Sequence, residues 1–108
     1  MQLRADDRVL LLAIPAKAEL ALLARVLSNG VLVAIGTRSE VDAAREWMAE
    51  FDNTMFVEAD PQQIPWRDAY FTKIVAPPHM EFALRAAARE LHRLLAPDGE
   101  IVRESSDA

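Results

Sequence analysis

The chain has 108 residues, a length suited to one compact domain with its own core. It carries a formal net charge of −5 and no cysteine, which excludes disulfides, thiolate metal sites and cysteine nucleophiles and disfavours binding driven by a nucleic-acid backbone. The apolar stretch from Val9 to Ala16 is too short to span a bilayer, and Asp6 and Asp7 do not suit the basic start of a signal peptide.

These bounds describe a soluble, cytoplasmic, single-domain protein, 1–108, frayed at 1–7 and 105–108. Neither a membrane nor a nucleic acid is expected as a partner. Along the chain, Val9-Leu10-Leu11-Leu12-Ala13-Ile14 is a continuous apolar run, as in a strand buried on both faces. Ala16 to Asn29 follows with Leu20, Leu23, Ala24 and Leu27 at helical spacing, and Gly30 is placed to end that helix in the left-handed conformation. Val31 to Ile35 is a second buried strand. Thr37-Arg38-Ser39-Glu40 has the form of a capping box and opens a helix to about Phe51. Asp52-Asn53 is a turn, and Thr54 to Glu58 is a short third strand.

Asp60 to Asp68 holds two prolines and no helical period, so it is read as a loop. Tyr70 to Ala76 is a fourth strand, ended by Pro77-Pro78, which cannot donate ladder bonds. His79 to Leu95 reads as the longest helix. Pro97-Asp98-Gly99 is a turn, and Gly99 to Glu104 a fifth strand. Strands alternating with helices imply right-handed crossovers and a parallel sheet in the order 3-2-1-4-5. Ligands in such sheets bind outside the carboxyl ends of the strands, at the point where the strand order reverses. That places Ala13–Lys17, Gly36–Ser39, Asp60–Trp66 and Ala76–His79 together.

Four motifs in the second half carry a family resemblance. Val57-Glu58-Ala59-Asp60, Ile64-Pro65-Trp66-Arg67-Asp68, Tyr70-Phe71, and Arg93-Leu94-Leu95-Ala96-Pro97-Asp98-Gly99 resemble the back half of class I S-adenosylmethionine-dependent methyltransferases. The resemblance covers about Arg8 to Arg103. It implies an α/β, Rossmann-like three-layer sandwich of five mainly parallel strands, lacking the family's terminal β-hairpin. It also implies cofactor-binding roles: Asp60 for the adenine amino group, Ile64, Pro65 and Trp66 for the flanks of the adenine, and Gly36 at the position beside the ribose. The first half departs from the family. Ala13, Pro15 and Lys17 stand where the family has glycines, Leu11 stands for a common acidic residue, and Gly36 or Ile35 stands for the carboxylate that holds the ribose hydroxyls. Losing that carboxylate and the glycine loop together removes charged hydrogen bonds worth roughly 1.5–3 kcal/mol each.

The expectation is therefore a degenerate, non-catalytic domain that binds no cofactor and acts through a protein partner or as a homodimer. The alternative is a minimal S-adenosylmethionine-dependent methyltransferase of unknown substrate. The remaining polar residues are weighed against plain structural roles. Lys17 is either an anion ligand, a filler of the vacated pocket, or a solvated lysine, and the last is favoured. His79, in Ala76-Pro77-Pro78-His79, is either a general base or an N-terminal helix residue, again the latter. His92 is expected to be exposed. Arg85, Arg89 and Arg93 recur at i, i+4 and i+8 as a solvated face, with Glu81 paired to Arg85 and with Glu90 and Asp68 as further compensation. Trp47, Met48 and Phe51 are core or interface residues. Strand five would be a sheet edge, guarded by Glu100, Arg103 and Glu104, and a helix-face dimer is an equal possibility. No metal-ligand spacing is seen.

Overall fold

A computed structural model describes residues 2–103, except for the side chains of Glu81, Phe82 and Ala83. The elements run β1 (Arg8–Leu11), α1 (Lys17–Val26), β2 (Val31–Gly36), α2 (Arg38–Trp47), β3 (Thr54–Glu58), β4 (Phe71–Ala76), a 3-10 turn (Pro78–Met80), α3 (Glu81–Ala86), α4 (Ala88–Leu94) and β5 (Leu95–Arg103). The sheet order is β3-β2-β1-β4-β5, and each neighbouring pair is parallel.

The period of two along each strand sends alternate side chains to opposite faces. Val9, Leu11, Leu32, Ala34, Phe56 and Val75 join Leu20, Ala24 and Leu27 of the α1 segment and Val41, Ala44 and Met48 of the α2 segment in one buried cluster. Leu10, Leu12, Val33, Ile35 and Ile74 join Leu84, Ala87, Leu91 and Leu94 in a second cluster on the other face. Each leucine buried this way stabilises the fold by roughly 1.5–3 kcal/mol. The connection from β3 to β4 contains no helix, and Ile64 enters the second cluster from that loop. A loop thus contributes to the layer on that face.

Several local expectations are corrected. β1 ends at Leu11 rather than Ile14: Leu12 still donates to the Val75 carbonyl at 3.1 Å, and the chain then bends away ahead of Pro15. Gly30 does not adopt a positive φ. It is required for another reason, since a Cβ there would lie 2.1 Å from the Asp7 carbonyl oxygen. Of the segment expected to fray at 1–7, residues 4–7 pass over this point. Asn29 donates to the Ala5 carbonyl at 2.9 Å, Val31 to that of Asp7 at 3.1 Å, and the buried Asp7 carboxylate accepts from the Arg4 amide and the Thr72 hydroxyl. The expected fraying at 105–108 and the guarding role of Glu104 lie outside the described residues.

The single helix expected from His79 to Leu95 is split. It begins as a 3-10 turn and breaks at Ala87, whose φ and ψ of −100° and 7° leave the helical region. β5 starts at Leu95, opposite Phe71, but the next pair is Lys73 with Glu100. The Pro97-Asp98-Gly99 turn therefore survives as an excursion inside the strand. Gly99 permits its return, because a Cβ there would sit 3.0 Å from the carbonyl oxygens of both Phe71 and Thr72. Asn53, in the β2–β3 crossover, caps α1 from a distance: its side-chain amide donates to the carbonyls of Ala24 and Leu27, each at 2.9 Å.

Candidate functional site

The carboxyl ends of β1 and β2 form one wall of the expected crevice. Ile14 leaves β1 and turns its side chain toward the end of β2. A Cβ added to Gly36 would meet Ile14 Cδ1 at 3.0 Å and Ile14 Cγ1 at 3.3 Å. Ile14 also packs against the cluster beneath α1 and α2. An aliphatic side chain thus occupies the notch above Gly36. Glu40 borders the same notch, with its Oε1 atom 3.0 Å from the same Cβ position. The capping box fixes it. The Thr37 amide donates to Glu40 Oε1 at 2.8 Å, and the Glu40 amide donates to Thr37 Oγ1 at 3.4 Å. The Thr37 backbone and hydroxyl bonds hold the Glu40 carboxyl below its usual range. Ahead of α1, Ala16 offers no side-chain cap, and Lys17 is exposed. Lys17 does not fill the space near β1, and Ile14 takes the part of it next to Gly36.

The second wall is the 59–70 connection. The Ala59 amide extends the ladder to the Gly36 carbonyl at 3.4 Å, which brings Asp60 to the carboxyl end of β3. Asp60 is exposed, its Oδ1 accepts from the Gln62 amide at 2.8 Å, and the Gln63 amide closes the turn on the Asp60 carbonyl at 2.9 Å. This is the turn geometry expected of aspartate. Ile64 is buried and Trp66 is half-buried, with the Trp66 ring 5.8 Å from Tyr70 and 5.7 Å from Phe71 between centroids.

Arg93 organises this second wall. Its Nε and Nη2 bind the two oxygens of Glu90 at 2.7 and 2.9 Å. Nη2 also donates to the Ile64 carbonyl at 3.0 Å, and Nη1 to the Trp66 carbonyl at 2.8 Å and Asp68 Oδ1 at 2.7 Å. A guanidinium has five N–H donors in a rigid fork, and the geometry employs that full complement. Glu90 Oε2 in turn accepts from the Ile64 amide at 2.7 Å. The hydrogen bonds from Arg93, then that from Ile64, lower the Glu90 carboxyl to about 2. Glu90 and Asp68 raise the pKa of Arg93 above its ordinary value.

The structure brings Gly36 and Asp60 to one end of the β2–β3 pair, while Ile64 and Trp66 are drawn toward α4. Of the arginine stripe, Arg85 and Arg89 are exposed as expected, but Arg93 is a half-buried hub. The Glu81–Arg85 pair lies outside the described side chains. His92 is exposed. His79 is exposed at the rim of a hollow of about 200 Å³ at the ends of β1 and β4, lined also by Leu11, Ala13, Ile14, Pro15 and Glu19; none of the four candidate ligand residues lines it. Met48 is buried, Phe51 packs against the core, and Trp47 is 39% exposed. Among the described residues no group of acidic or histidine side chains is placed to hold a metal ion. No described helix is long and apolar enough to cross a membrane.

Comparison with known proteins decides the family. A family model described as a methyltransferase domain matches residues 17–103. The chain belongs to the methyltransferase domain family. Its sheet and helices are those of the class I S-adenosylmethionine-dependent methyltransferase fold. A S-adenosylmethionine-dependent methyltransferase from Aquifex aeolicus superposes with a TM-score of 0.81 at 21% identity, over 99% of this chain and 63% of that one. The YcgJ protein of Bacillus subtilis gives 0.76 at 24% identity, over 94% and 45%. The [4+2]-cyclase SpnF gives 0.74 at 24% identity, over 92% and 38%. This methyltransferase domain therefore spans between 38% and 63% of the length of these three structures. No curated protein sequence matches it.

Proposed function

We propose that this methyltransferase domain does not transfer methyl groups and acts through protein contacts, either with a second copy or with another chain, in the cytoplasm. The observation that carries the reading is Ile14 seated against Gly36. The residues present do not fit S-adenosylmethionine there. An isoleucine occupies the notch beside the ribose position, Pro15 removes an amide donor from the loop, and the nearest carboxylate, Glu40, is engaged by its own helix cap. The structural neighbour SpnF, a [4+2]-cyclase, supports separating the fold from methyl transfer. The protein-contact half of the reading is supported by exposed apolar side chains on α1, where Leu22 is 60% and Val26 42% exposed. These residues border a surface groove shared with Leu3, Leu23, Lys73 and Glu100.

Titration calorimetry with S-adenosylmethionine and S-adenosylhomocysteine tests the first half. No heat is expected from the parent protein, and an Ile14→Gly, Pro15→Gly variant is expected to gain binding. Micromolar binding by the parent that Asp60→Ala abolishes would refute it. Light scattering over a range of concentrations tests the second half: a mass that rises with concentration and falls back in Leu22→Glu is expected. A strictly monomeric protein that captures no partner would count against it.

One observation favours the second reading, a minimal S-adenosylmethionine-dependent methyltransferase. Asp60 stands exposed at the end of β3, and among the described residues its carboxylate makes no ion pair. A carboxylate so placed is open to a ligand's donor. Methyl transfer by in-line positioning needs no dedicated base, so the lack of a convincing catalytic residue does not weigh against this reading.

A further inference from the structure

The 59–70 connection poses a physical problem that the sequence pattern conceals. It crosses the sheet from β3 to β4 without a helix, so it supplies few backbone bonds of its own. It also passes through a left-handed residue, Ala69, at φ 54°, a conformation that costs a non-glycine residue about 1–2 kcal/mol. Such a segment keeps one course only if contacts from outside over-determine it. α4 provides those contacts. Arg93 donates to the carbonyls of Ile64 and Trp66 and to the Asp68 carboxylate, and Glu90 accepts from the Ile64 amide. The Arg93 and Leu94 carbonyls accept from the Ala69 and Tyr70 amides at 2.8 and 2.9 Å, which fixes the exit of the loop as well.

We propose that Arg93, oriented by Glu90, is a positioning residue that sets the course of residues 60–68 and thereby where the Asp60 carboxylate stands at the end of β3. The link is short. Asp60 and Gln63 form a bridge, the Gln63 amide bonds the Asp60 carbonyl, and the next residue, Ile64, is the one held by both clamp residues. Lysine cannot replace the fork: an ammonium has three donors around one nitrogen and cannot span a carboxylate, two carbonyls and a second carboxylate in one plane. The ligand-facing meaning of this position rests on the second reading above, in which Asp60 meets a ligand.

The test uses ligand-free protein, so it decides the clamp separately from nucleotide binding. In a Trp47→Phe background the emission reports Trp66 alone, and Arg93→Ala is expected to shift it to the red. Hydrogen exchange in 59–68 is expected to accelerate about tenfold or more beyond any change at Val33 and Ile35 in central β2, which report global opening. Added ethylguanidinium is expected to restore the protection and the emission, and ethylammonium at equal concentration is not. Unchanged emission, acceleration spread evenly over loop and β2, or equal rescue by ethylammonium would each overturn the assignment.

Discussion

The two walls of the crevice are built on opposite principles. The wall at β1 and β2 is apolar where it meets Gly36: Ile14 lies against that glycine, and the Glu40 carboxylate beside it is turned to its own helix cap. The wall made by the 59–70 connection is polar and externally braced, with a guanidinium and a carboxylate of α4 serving the loop's backbone. An aliphatic plug relinquishes polar binding in return for core. A polar brace retains a defined loop mainly through the loop's backbone, with Asp68 as the loop side chain that joins it.

Breaking the braced wall should have the largest effect. Arg93→Ala removes several charge-assisted hydrogen bonds and leaves Glu90 with the Ile64 amide but no ion-pair partner. Such bonds contribute roughly 1.5–3 kcal/mol each when buried. Because the Arg93 side chain is 32% exposed, a loss of about 2 kcal/mol in urea unfolding is expected rather than their sum. The same pair predicts an acid response. The Glu90 carboxyl is lowered when folded, so its contribution is complete above the ordinary value of 4.5 and is lost as pH falls from there through about 2. Arg93→Ala should flatten that part of the stability–pH curve. An unchanged curve would show that the pair contributes little in solution.

The plugged wall yields a smaller and more local effect. Gly36→Ala pushes a methyl group into Ile14 and Glu40, both ends of movable side chains, and should cost about 1 kcal/mol, the lower limit for overpacking. Much of that cost should disappear in an Ile14→Ala background, where the notch is empty. Additive costs in this double-mutant cycle would mean that Ile14 does not occupy the notch in solution.

Both walls were partly legible in the residues. Thr37 and Glu40 announced the capping box because that motif closes within four residues and needs nothing from elsewhere. The continuous apolar runs at 9–14 and 31–35 announce buried strands because burial on both faces leaves no polar position, although the first strand proves shorter than its run. The sequence pattern puts Arg93 in a solvated stripe compensated by Glu90 and Asp68; both ion pairs form, but the two backbone acceptors are not in that pattern. Helical spacing aligns it with Arg85 and Arg89, whereas the carbonyls of Ile64 and Trp66 lie far away in sequence. The helix-ending role that the sequence suggests for Gly30 fails for the same reason: its need for a missing Cβ comes from Asp7 crossing above it, not from its own φ. The apolar run places Ile14 at the end of a strand, whereas Pro15 directly after it is the signal that the ladder stops sooner.

The sequence alone determined the alternation of elements, the parallel sheet and its order, because period, caps and breakers act within a few residues. The tertiary structure decided what closes the crevice and what holds its loop. Those outcomes depend on which side chains meet across the sheet, and a guanidinium's reach or an isoleucine's seat is set by residues far from it in the chain.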